Sequence, residues 1–182
     1  MNPSSNLFLI GPMGAGKSSI GRALATHYGM AFVDLDHEIE ARTGAAIPLI
    51  FELEQEAGFR RREAALLEEF SARSGVVLAT GGGAVLAETN RCLLAARGFV
   101  VYLEARLEDQ LERLARDRLR PLLAHADRRE RLDALNRARD PLYRAVADLV
   151  VPGRRETVPL ACARAVALLD AHWQRLAPTE AA

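Results

Sequence analysis

Residues 11–18 read GPMGAGKS, which is a complete phosphate-loop pattern of the form G-x-x-x-x-G-K-S. Lys17 inside this pattern is the only lysine of the chain, and every other basic residue is an arginine. A lysine places a slim point charge between phosphates, whereas the planar guanidinium of arginine is too wide and rigid for that position. The segment therefore predicts a binding site for a nucleoside triphosphate.

The sequence on either side of the loop supports this prediction. Residues 6–10 (NLFLI) have the pattern of a short buried strand, and residues 19–28 have that of a helix with one apolar face. The glycines between them allow backbone N–H groups to surround an anion at the positive end of the helix. A glycine-rich turn without a ligand is the alternative, and the position between strand and helix disfavours it. The predicted phosphate contacts are Gly14, Ala15, Gly16, Lys17, Ser18 and Ser19, with the Ser18 hydroxyl also a ligand of Mg²⁺.

Four further apolar segments alternate with predicted helices along the chain. Such alternation is typical of a parallel sheet with helices on both faces, so we expect an α/β fold with three α/β/α layers and five strands. The length suits one domain over residues 1–182, with a frayed tail at 177–182. The later strands are predicted at 31–34, 76–79, 99–103 and 148–151. The later helices are predicted near 36–43, 57–73, 88–97, 105–117, 129–145 and 157–173.

Composition argues against several classes of function. The 24 acidic and 24 basic residues balance, so no net charge attracts the chain to nucleic acid or to an acidic membrane. No apolar run approaches membrane-spanning length, and residues 1–6 do not resemble a secretory signal. The two cysteines and four histidines lack the spacing of metal ligands. We therefore expect a soluble cytoplasmic protein that binds neither nucleic acid nor membranes.

Two carboxylates follow the second predicted strand. Asp34 and Asp36 are separated by one residue, and in an extended backbone their side chains would point to the same side. One could then hold Mg²⁺ through water while the other faces a substrate hydroxyl. The alternative is that Asp36 caps a helix beginning at His37, and the two roles are compatible.

Three glycines, residues 81–83, follow Thr80 at the end of the third predicted strand. They permit a ligand to approach the backbone closely and leave N–H groups to bind it, although a flexible turn would have the same composition. In parallel α/β sheets, ligands bind beyond the carboxyl ends of the strands. This rule places the phosphate loop, the two aspartates and the glycines in one cleft.

Arginines are too frequent for any single one to be informative by itself, and a structural or solvated role is the alternative for each. Residues 60–62 are all arginine and splay by roughly 100° each on a helix, so only one or two can face a cleft. Arg113, Arg116 and Arg120 share a helical stripe that could meet a triphosphate. Arg120 precedes Pro121 and so begins a loop, where it is well placed to close over a transferring phosphate.

Six motifs occur in an order that resembles the shikimate kinases, over residues from about 6 to 170. The phosphate loop is shared with many kinases, and the ordered set is more specific. The motifs are the phosphate loop, D-x-D at 34–36, F-R-x-x-E at 59–63, G-G-G at 81–83, R-P-L-L at 120–123 and R-x-P-L-Y at 139–143.

The resemblance implies a fold like that of nucleoside monophosphate kinases, with substrate-binding helices at about 36–62 and a lid at about 115–130. It implies transfer of the γ-phosphoryl group of ATP to the 3-hydroxyl of shikimate, a step toward chorismate and the aromatic amino acids. Mg²⁺ would accompany ATP, and the protein would be a monomer.

Roles for individual residues follow from the same resemblance. Lys17, Asp36 and Arg120 would be catalytic, and Ser18 and Asp34 would serve the metal. The remaining contacts to ATP would come from the phosphate loop with Arg113, Arg120 and Arg155, and those to shikimate from Asp36, Arg60, Gly81, Gly82, Gly83 and Arg139.

The chain departs from the family pattern on both sides of the predicted cleft. Gln55 stands where the family often has glycine, and Pro48 lies in the nearby helical segment. The predicted adenine loop at 151–157 lacks a proline that the family often has after its arginines. These departures leave the shape of the substrate-side helices and the contacts to adenine open.

Two other functions compete with the shikimate kinase interpretation. A gluconate-type sugar-acid kinase would share the phosphate loop but would not need the F-R, G-G-G and R-x-P-L-Y motifs. A non-catalytic ATP-binding module would be expected to have lost Lys17, Asp36 or Arg120, and the sequence keeps all three.

Overall fold

The computed structural model describes residues 3–115 and 127–176. The strands in these residues are β1 (Leu7–Ile10), β2 (Ala31–Asp34), β3 (Val76–Ala79), β4 (Phe99–Leu103) and β5 (Leu149–Val151). They form one sheet in the order β2-β3-β1-β4-β5, in which every neighbouring pair is parallel. The predicted five-stranded parallel sheet is confirmed, and β1 lies at its centre, so the loop that follows β1 opens at the middle of the sheet.

Seven α-helices occur in the described ranges, together with a short 3₁₀ turn at Ala84–Leu86. The helices are α1 (Lys17–Tyr28), α2 (Leu35–Thr43), α3 (Ile47–Ser71), α4 (Glu88–Arg97), α5 (Leu107–Leu114), α6 (Arg128–Val146) and α7 (Val158–His172). Most agree with prediction to within about two residues at each end, which is the usual uncertainty of a helix boundary. The predicted lid residues 116–126 and the predicted tail at 177–182 lie outside the described residues.

The sheet separates two apolar cores. In β1, Phe8 and Ile10 belong to one core and Leu7 and Leu9 to the other, and β4 alternates in the same way. Side chains of successive strand residues point to opposite faces, so a strand with helices on both sides must be apolar throughout. Trp173 is buried in the second core, and its indole N–H donates to the Ser4 carbonyl.

Helix α3 contains a helical segment at 47–54 that was not predicted, followed, after a kink at Gln55, by the helix predicted over 57–73, which ends at Ser71, two residues before the predicted end. Pro48 lies in the first turn of α3, where a missing N–H costs nothing. The carboxylate of Glu40 accepts a hydrogen bond from the Ile47 N–H at 2.9 Å and so caps the same turn.

A sharp kink at Gln55 divides α3 into two parts. Its backbone angles are φ 60° and ψ 179°, and it is the only residue other than glycine in the described ranges with a positive φ. That region of φ and ψ is essentially restricted to glycine, and a side chain there costs of order 1–3 kcal/mol. The kink also folds Glu54 over Gly58 so closely that a Cβ on Gly58 would overlap the Glu54 Cβ. The corner therefore stores backbone strain that the surrounding packing maintains.

We expect Gln55→Gly to stabilise the protein by about 1 kcal/mol, because relief of the strain exceeds the loss of one exposed hydrogen bond and the added chain entropy of glycine. Thermal unfolding should show a rise in Tm of roughly 2–4 °C. Gln55→Ala is the matched control, because it removes the same side chain and keeps the Cβ that causes the strain. An equal rise in Tm for both variants would show that the backbone at Gln55 is not strained.

No helix in the described part of the chain is both long enough and apolar enough to cross a membrane.

Candidate active site

The phosphate loop joins β1 to α1 at the centre of the sheet. Gly16 has φ 89° and ends the loop in a left-handed conformation that only glycine adopts easily, so α1 begins at Lys17, two residues before the predicted start. The Lys17 ammonium donates to the carbonyls of Gly11 at 2.7 Å and Pro12 at 2.8 Å. These contacts hold the ammonium over the loop, where an anion bound at the helix N-terminus would lie.

Ser18 and Asp34 come together beside the loop. The Ser18 hydroxyl donates to Asp34 Oδ2 at 2.5 Å, so the first turn of α1 is joined to the end of β2. A hydroxyl and a carboxylate oxygen are hard ligands of the kind that Mg²⁺ takes alongside substrate phosphates and water. The donor set that the sequence predicted for the metal therefore fits that ion.

The structure corrects the prediction for the two aspartates. Strand β2 ends at Asp34 and α2 begins at Leu35, so the alternation of an extended strand does not reach Asp36. Asp34, not Asp36, caps the helix, because its Oδ1 accepts hydrogen bonds from the N–H groups of Asp36 at 3.1 Å and His37 at 3.4 Å. Asp36 lies instead in the first turn of α2.

Asp36 and Glu63 face the first glycine of the triplet. A Cβ on Gly81 would lie 2.9 Å from Asp36 Oδ1 and would overlap Glu63 Oε1. The Glu63 side chain is fully buried, and its Oε1 has no hydrogen-bond partner among the described residues. Burial raises the pKa of Glu63, the Arg60 guanidinium opposes that rise, and the Asp36 charge adds to it. Glycine at position 81 is therefore what allows two carboxylates to approach the backbone.

Arg60 lies against the third glycine. A Cβ on Gly83 would overlap the Arg60 guanidinium, so this side chain too occupies space that a larger residue would take. Arg60 Nη1 donates to Glu63 Oε2 at 2.6 Å, and Nε and Nη2 donate to Glu56 Oε1 at 3.2 Å and 3.0 Å. The guanidinium is thus held in one orientation beside the glycines.

Arg139 and Tyr143 hold the second glycine from α6. The Tyr143 hydroxyl donates to the Gly82 carbonyl at 2.5 Å, and Arg139 Nη1 lies 3.4 Å from the same oxygen. Arg139 is buried, which is uncommon for a charged side chain unless it has a partner. Burial raises the pKa of Tyr143 to about 12, and the positive charge of Arg139 limits that rise.

The glycine triplet also lies beside the phosphate loop. A Cβ on Gly82 would lie 3.3 Å from the Met13 N and 3.4 Å from the Gly11 carbonyl oxygen. The two backbones therefore run close together, and the cleft that contains Arg60 and Arg139 adjoins the anion site. Such an arrangement can hold a small acid next to a triphosphate.

A cavity of about 240 Å³ opens on the other side of the phosphate loop. Its wall includes Gly16, Ser19 and Arg113, and Arg113 Nη1 donates to the Gly14 carbonyl at 2.7 Å. The wall also contains a mostly buried ion pair between Glu156 and Arg164, in which Arg164 Nε donates to Glu156 Oε1 at 3.1 Å. The position beside the loop suits the nucleoside part of a nucleotide.

A family model described as shikimate kinase matches residues 13–169. A shikimate kinase of Aromatoleum aromaticum is 58% identical over 147 residues, which cover 81% of this chain and 84% of that protein. The structure of a shikimate kinase from Acinetobacter baumannii in complex with shikimate is 46% identical and superposes with a TM-score of 0.89, covering 92% of this chain and 94% of the other. This chain belongs to the shikimate kinase family.

A more distant likeness concerns only the fold. A gluconokinase from Sinorhizobium meliloti superposes with a TM-score of 0.61 at 20% identity, over 93% of each chain. It shows that sugar-acid kinases share the three-layer arrangement. The gluconate-type alternative is therefore not favoured over the shikimate kinase family, whose model and relatives match at much higher identity.

The predicted site residues that fall within the described ranges assemble in two adjoining groups. Arg155 is the most peripheral of them, because its side chain is 77% exposed and lies 3.7 Å from Glu112 of α5. Arg120 lies outside the described residues, so its predicted position over the phosphates stays a prediction. The first group is Gly14, Ala15, Gly16, Lys17, Ser18, Ser19, Asp34 and Arg113, and the second is Asp36, Arg60, Gly81, Gly82, Gly83 and Arg139.

Sequence reasoning assigned no role to Glu56, Glu63 or Tyr143, although each contacts a predicted residue. Glu56 and Glu63 stand four residues before and three residues after Arg60, which are the spacings at which helical side chains meet. That signal was available in the sequence. The hydrogen bond of Tyr143 to Gly82 was not, because it depends on how α6 packs.

All three tyrosines of the chain have a raised pKa: Tyr143 because of burial, and Tyr28 and Tyr102 because of burial and a hydrogen bond to a carboxylate. We therefore expect little tyrosinate in the folded protein at pH 10.5: less than about a tenth of the absorbance at 295 nm that three ionised tyrosines would give. At the same pH about three quarters of ordinary tyrosine side chains are ionised. Each phenol is neutral below its folded-state pKa. Its contribution to stability is therefore complete below the unfolded-state pKa near 10, and it is lost as the pH rises from there through the folded-state pKa.

The same titration in urea provides the control and should have a midpoint near pH 10. If one tyrosine of the folded protein titrated with a midpoint near pH 10, and this titration step disappeared in Tyr143→Phe, the buried hydrogen bond between Tyr143 and Gly82 would be contradicted.

Proposed function

We propose that this chain transfers the γ-phosphoryl group of ATP to the 3-hydroxyl of shikimate and so forms shikimate 3-phosphate in the biosynthesis of aromatic amino acids. The observation that carries the proposal is the close approach of the glycine triplet to the phosphate loop. A Cβ on Gly82 would lie within 3.4 Å of Gly11 and Met13, and Arg139 and Tyr143 donate to the Gly82 carbonyl. An acid held by the arginines is thereby brought beside the terminal phosphate.

The acid side of the cleft would bind shikimate through charge and backbone contacts. Arg60 and Arg139 would bind its carboxylate, since a planar guanidinium matches a carboxylate in a bidentate geometry. The triplet at 81–83 has no side chains, so the ring can lie against its backbone. Asp36 Oδ1 lies beside Gly81 and would bind the ring hydroxyls.

The phosphate side supplies alignment and charge. The Lys17 ammonium would exchange its contacts with the Gly11 and Pro12 carbonyls for oxygens of the β- and γ-phosphates. Ser18 and Asp34 would hold Mg²⁺, which when bound to ATP neutralises charge on the β- and γ-phosphates. The cavity beside Arg113 would take the nucleoside, with Arg155 at its outer edge.

Asp36 is the residue that we assign to the reacting hydroxyl. In the first turn of α2 its carboxylate faces Gly81, so it can accept the proton of the 3-hydroxyl as that oxygen bonds to the γ-phosphorus and the bond to ADP breaks. Phosphoryl transfer passes through a loose transition state, so the larger contribution comes from orienting the hydroxyl in line with the phosphate.

The remaining parts of the proposal rest on the sequence. Arg120 would close over the transferring phosphate from a lid at about 115–130, and the helices at about 36–62 would form the acid side of one kinase domain. The balanced charge and the family likeness favour a cytoplasmic monomer that binds no nucleic acid and no membrane.

Release of ADP by the purified protein with Mg²⁺ and ATP tests the reaction directly. We expect turnover that depends on shikimate and is absent with gluconate, because the two arginines and the flat glycine surface suit a ring acid. Binding of ATP without shikimate-dependent turnover would preserve the nucleotide site and disprove the proposed acceptor.

Arg139→Lys tests the proposed binding of the shikimate carboxylate, because lysine keeps the positive charge but lacks the planar guanidinium that binds a carboxylate with two hydrogen bonds. Charge-assisted hydrogen bonds contribute roughly 1.5–3 kcal/mol, so we expect the KM for shikimate to rise at least tenfold while the KM for ATP stays within about twofold. Arg137→Lys on the same helix is the matched control, because Arg137 is exposed and pairs with Asp133. An unchanged KM for shikimate in Arg139→Lys would place the carboxylate elsewhere.

A further inference from the structure

Arg60 has two carboxylate partners with different surroundings. Glu63 is fully buried and accepts from Nη1, whereas Glu56 is half exposed and accepts from both Nε and Nη2 through a single oxygen, Oε1. Burial prevents Glu63 from leaving its place. Glu56 faces solvent, so water could take the place of Arg60 as its hydrogen-bonding partner. Its contact with Arg60 therefore depends on where the backbone places Glu56.

The way in which Glu56 binds leaves part of the guanidinium available. A guanidinium carries five N–H donors: one on Nε and two on each terminal nitrogen. One oxygen that accepts from both Nε and Nη2 must lie on the side edge of the fork, and Glu63 takes one donor of Nη1. Within the described residues, one N–H on each terminal nitrogen then remains for another acceptor, which is the number that a bidentate carboxylate uses.

The backbone corner at Gln55 determines where Glu56 lies. The left-handed φ of Gln55 ends one helical segment, and Glu56 is the first residue of the next, four residues before Arg60. Glu54, on the other side of the corner, turns to Arg62, with bonds of 2.9 Å and 2.6 Å. The corner thus directs the two neighbouring carboxylates to different arginines, and only Glu56 reaches the one beside the glycine triplet.

We infer that Glu56 is a positioning residue for the substrate: it fixes the edge of the Arg60 guanidinium so that the two remaining donors meet the shikimate carboxylate. The inference rests on the proposed function of Arg60. Glu56 itself does not touch the substrate in this arrangement. Its loss should therefore weaken binding of the acid and leave the phosphate side unaffected.

Steady-state kinetics of Glu56→Ala tests the inference. We expect the KM for shikimate to rise about fivefold, because a partly exposed charge pair contributes up to about 1 kcal/mol. The KM for ATP and kcat should stay within about twofold, a split that general loss of structure would not produce. Glu56→Gln keeps an acceptor oxygen without the charge and should give a smaller rise than alanine.

Glu69→Ala is the matched control, since Glu69 lies on the same helix, is similarly exposed and makes two hydrogen bonds to Arg42. It should change neither KM. A Glu56→Ala protein with the KM of Glu69→Ala would overturn the inference. A lowered KM would also overturn it, because it would show that Glu56 competes with the substrate carboxylate.

Arg60→Lys separates this inference from the function on which it rests. If Arg60→Lys raises the KM for shikimate and Glu56→Ala does not, the substrate role of Arg60 stands and only the role of Glu56 fails. If Arg60→Lys leaves that KM unchanged, Arg60 does not bind the substrate, and the assignment of the carboxylate site fails together with the inference.

Discussion

The absence of side chains at residues 81–83 is the constraint on which the rest of the site depends. A Cβ at Gly81 would overlap Glu63, and a Cβ at Gly83 would overlap Arg60. The space normally taken by these side chains is occupied by charged groups from α3. Because the glycines follow β3, beside the central strand, and lie close to the phosphate loop, the charged groups are placed next to that loop without any long connecting segment.

Hydrogen bonds and ion pairs offset much of the cost of burying these charges. Removing an isolated ion from water costs several kcal/mol, and leaving a buried charge without its partner is strongly destabilising. Arg60 is neutralised by Glu63 and Glu56, and Arg139 shares the Gly82 carbonyl with Tyr143. The arrangement orients each donor before a ligand arrives, so that less conformational entropy is lost on binding.

Much of this fold was predictable from the sequence, since its signals are local. A phosphate loop needs glycines at set positions, and central strands covered on both faces must be apolar, so β1 and its loop were recognisable. The sequence offered Asp36 as the helix cap, whereas Asp34 is the cap in the structure. The reason is that β2 ends at Asp34 and α2 begins at Leu35, so the backbone is not extended as far as Asp36. The helical segment before Gln55 was missed because this residue interrupts the helical pattern, so that only the segment after it was recognised.

At Gln55 the local backbone preference of the residue and the observed conformation disagree. A glycine would adopt this conformation without cost, yet the chain keeps a side chain there and relies on packing to maintain the turn. The segment before the corner is joined to α2 through the Glu40 cap on Ile47, and the segment after it carries Arg60. Any movement of the first segment relative to the second must pass through this residue. A glutamine restricts the backbone more than glycine does, so the corner limits the orientations that Glu56, and through it Arg60, can adopt.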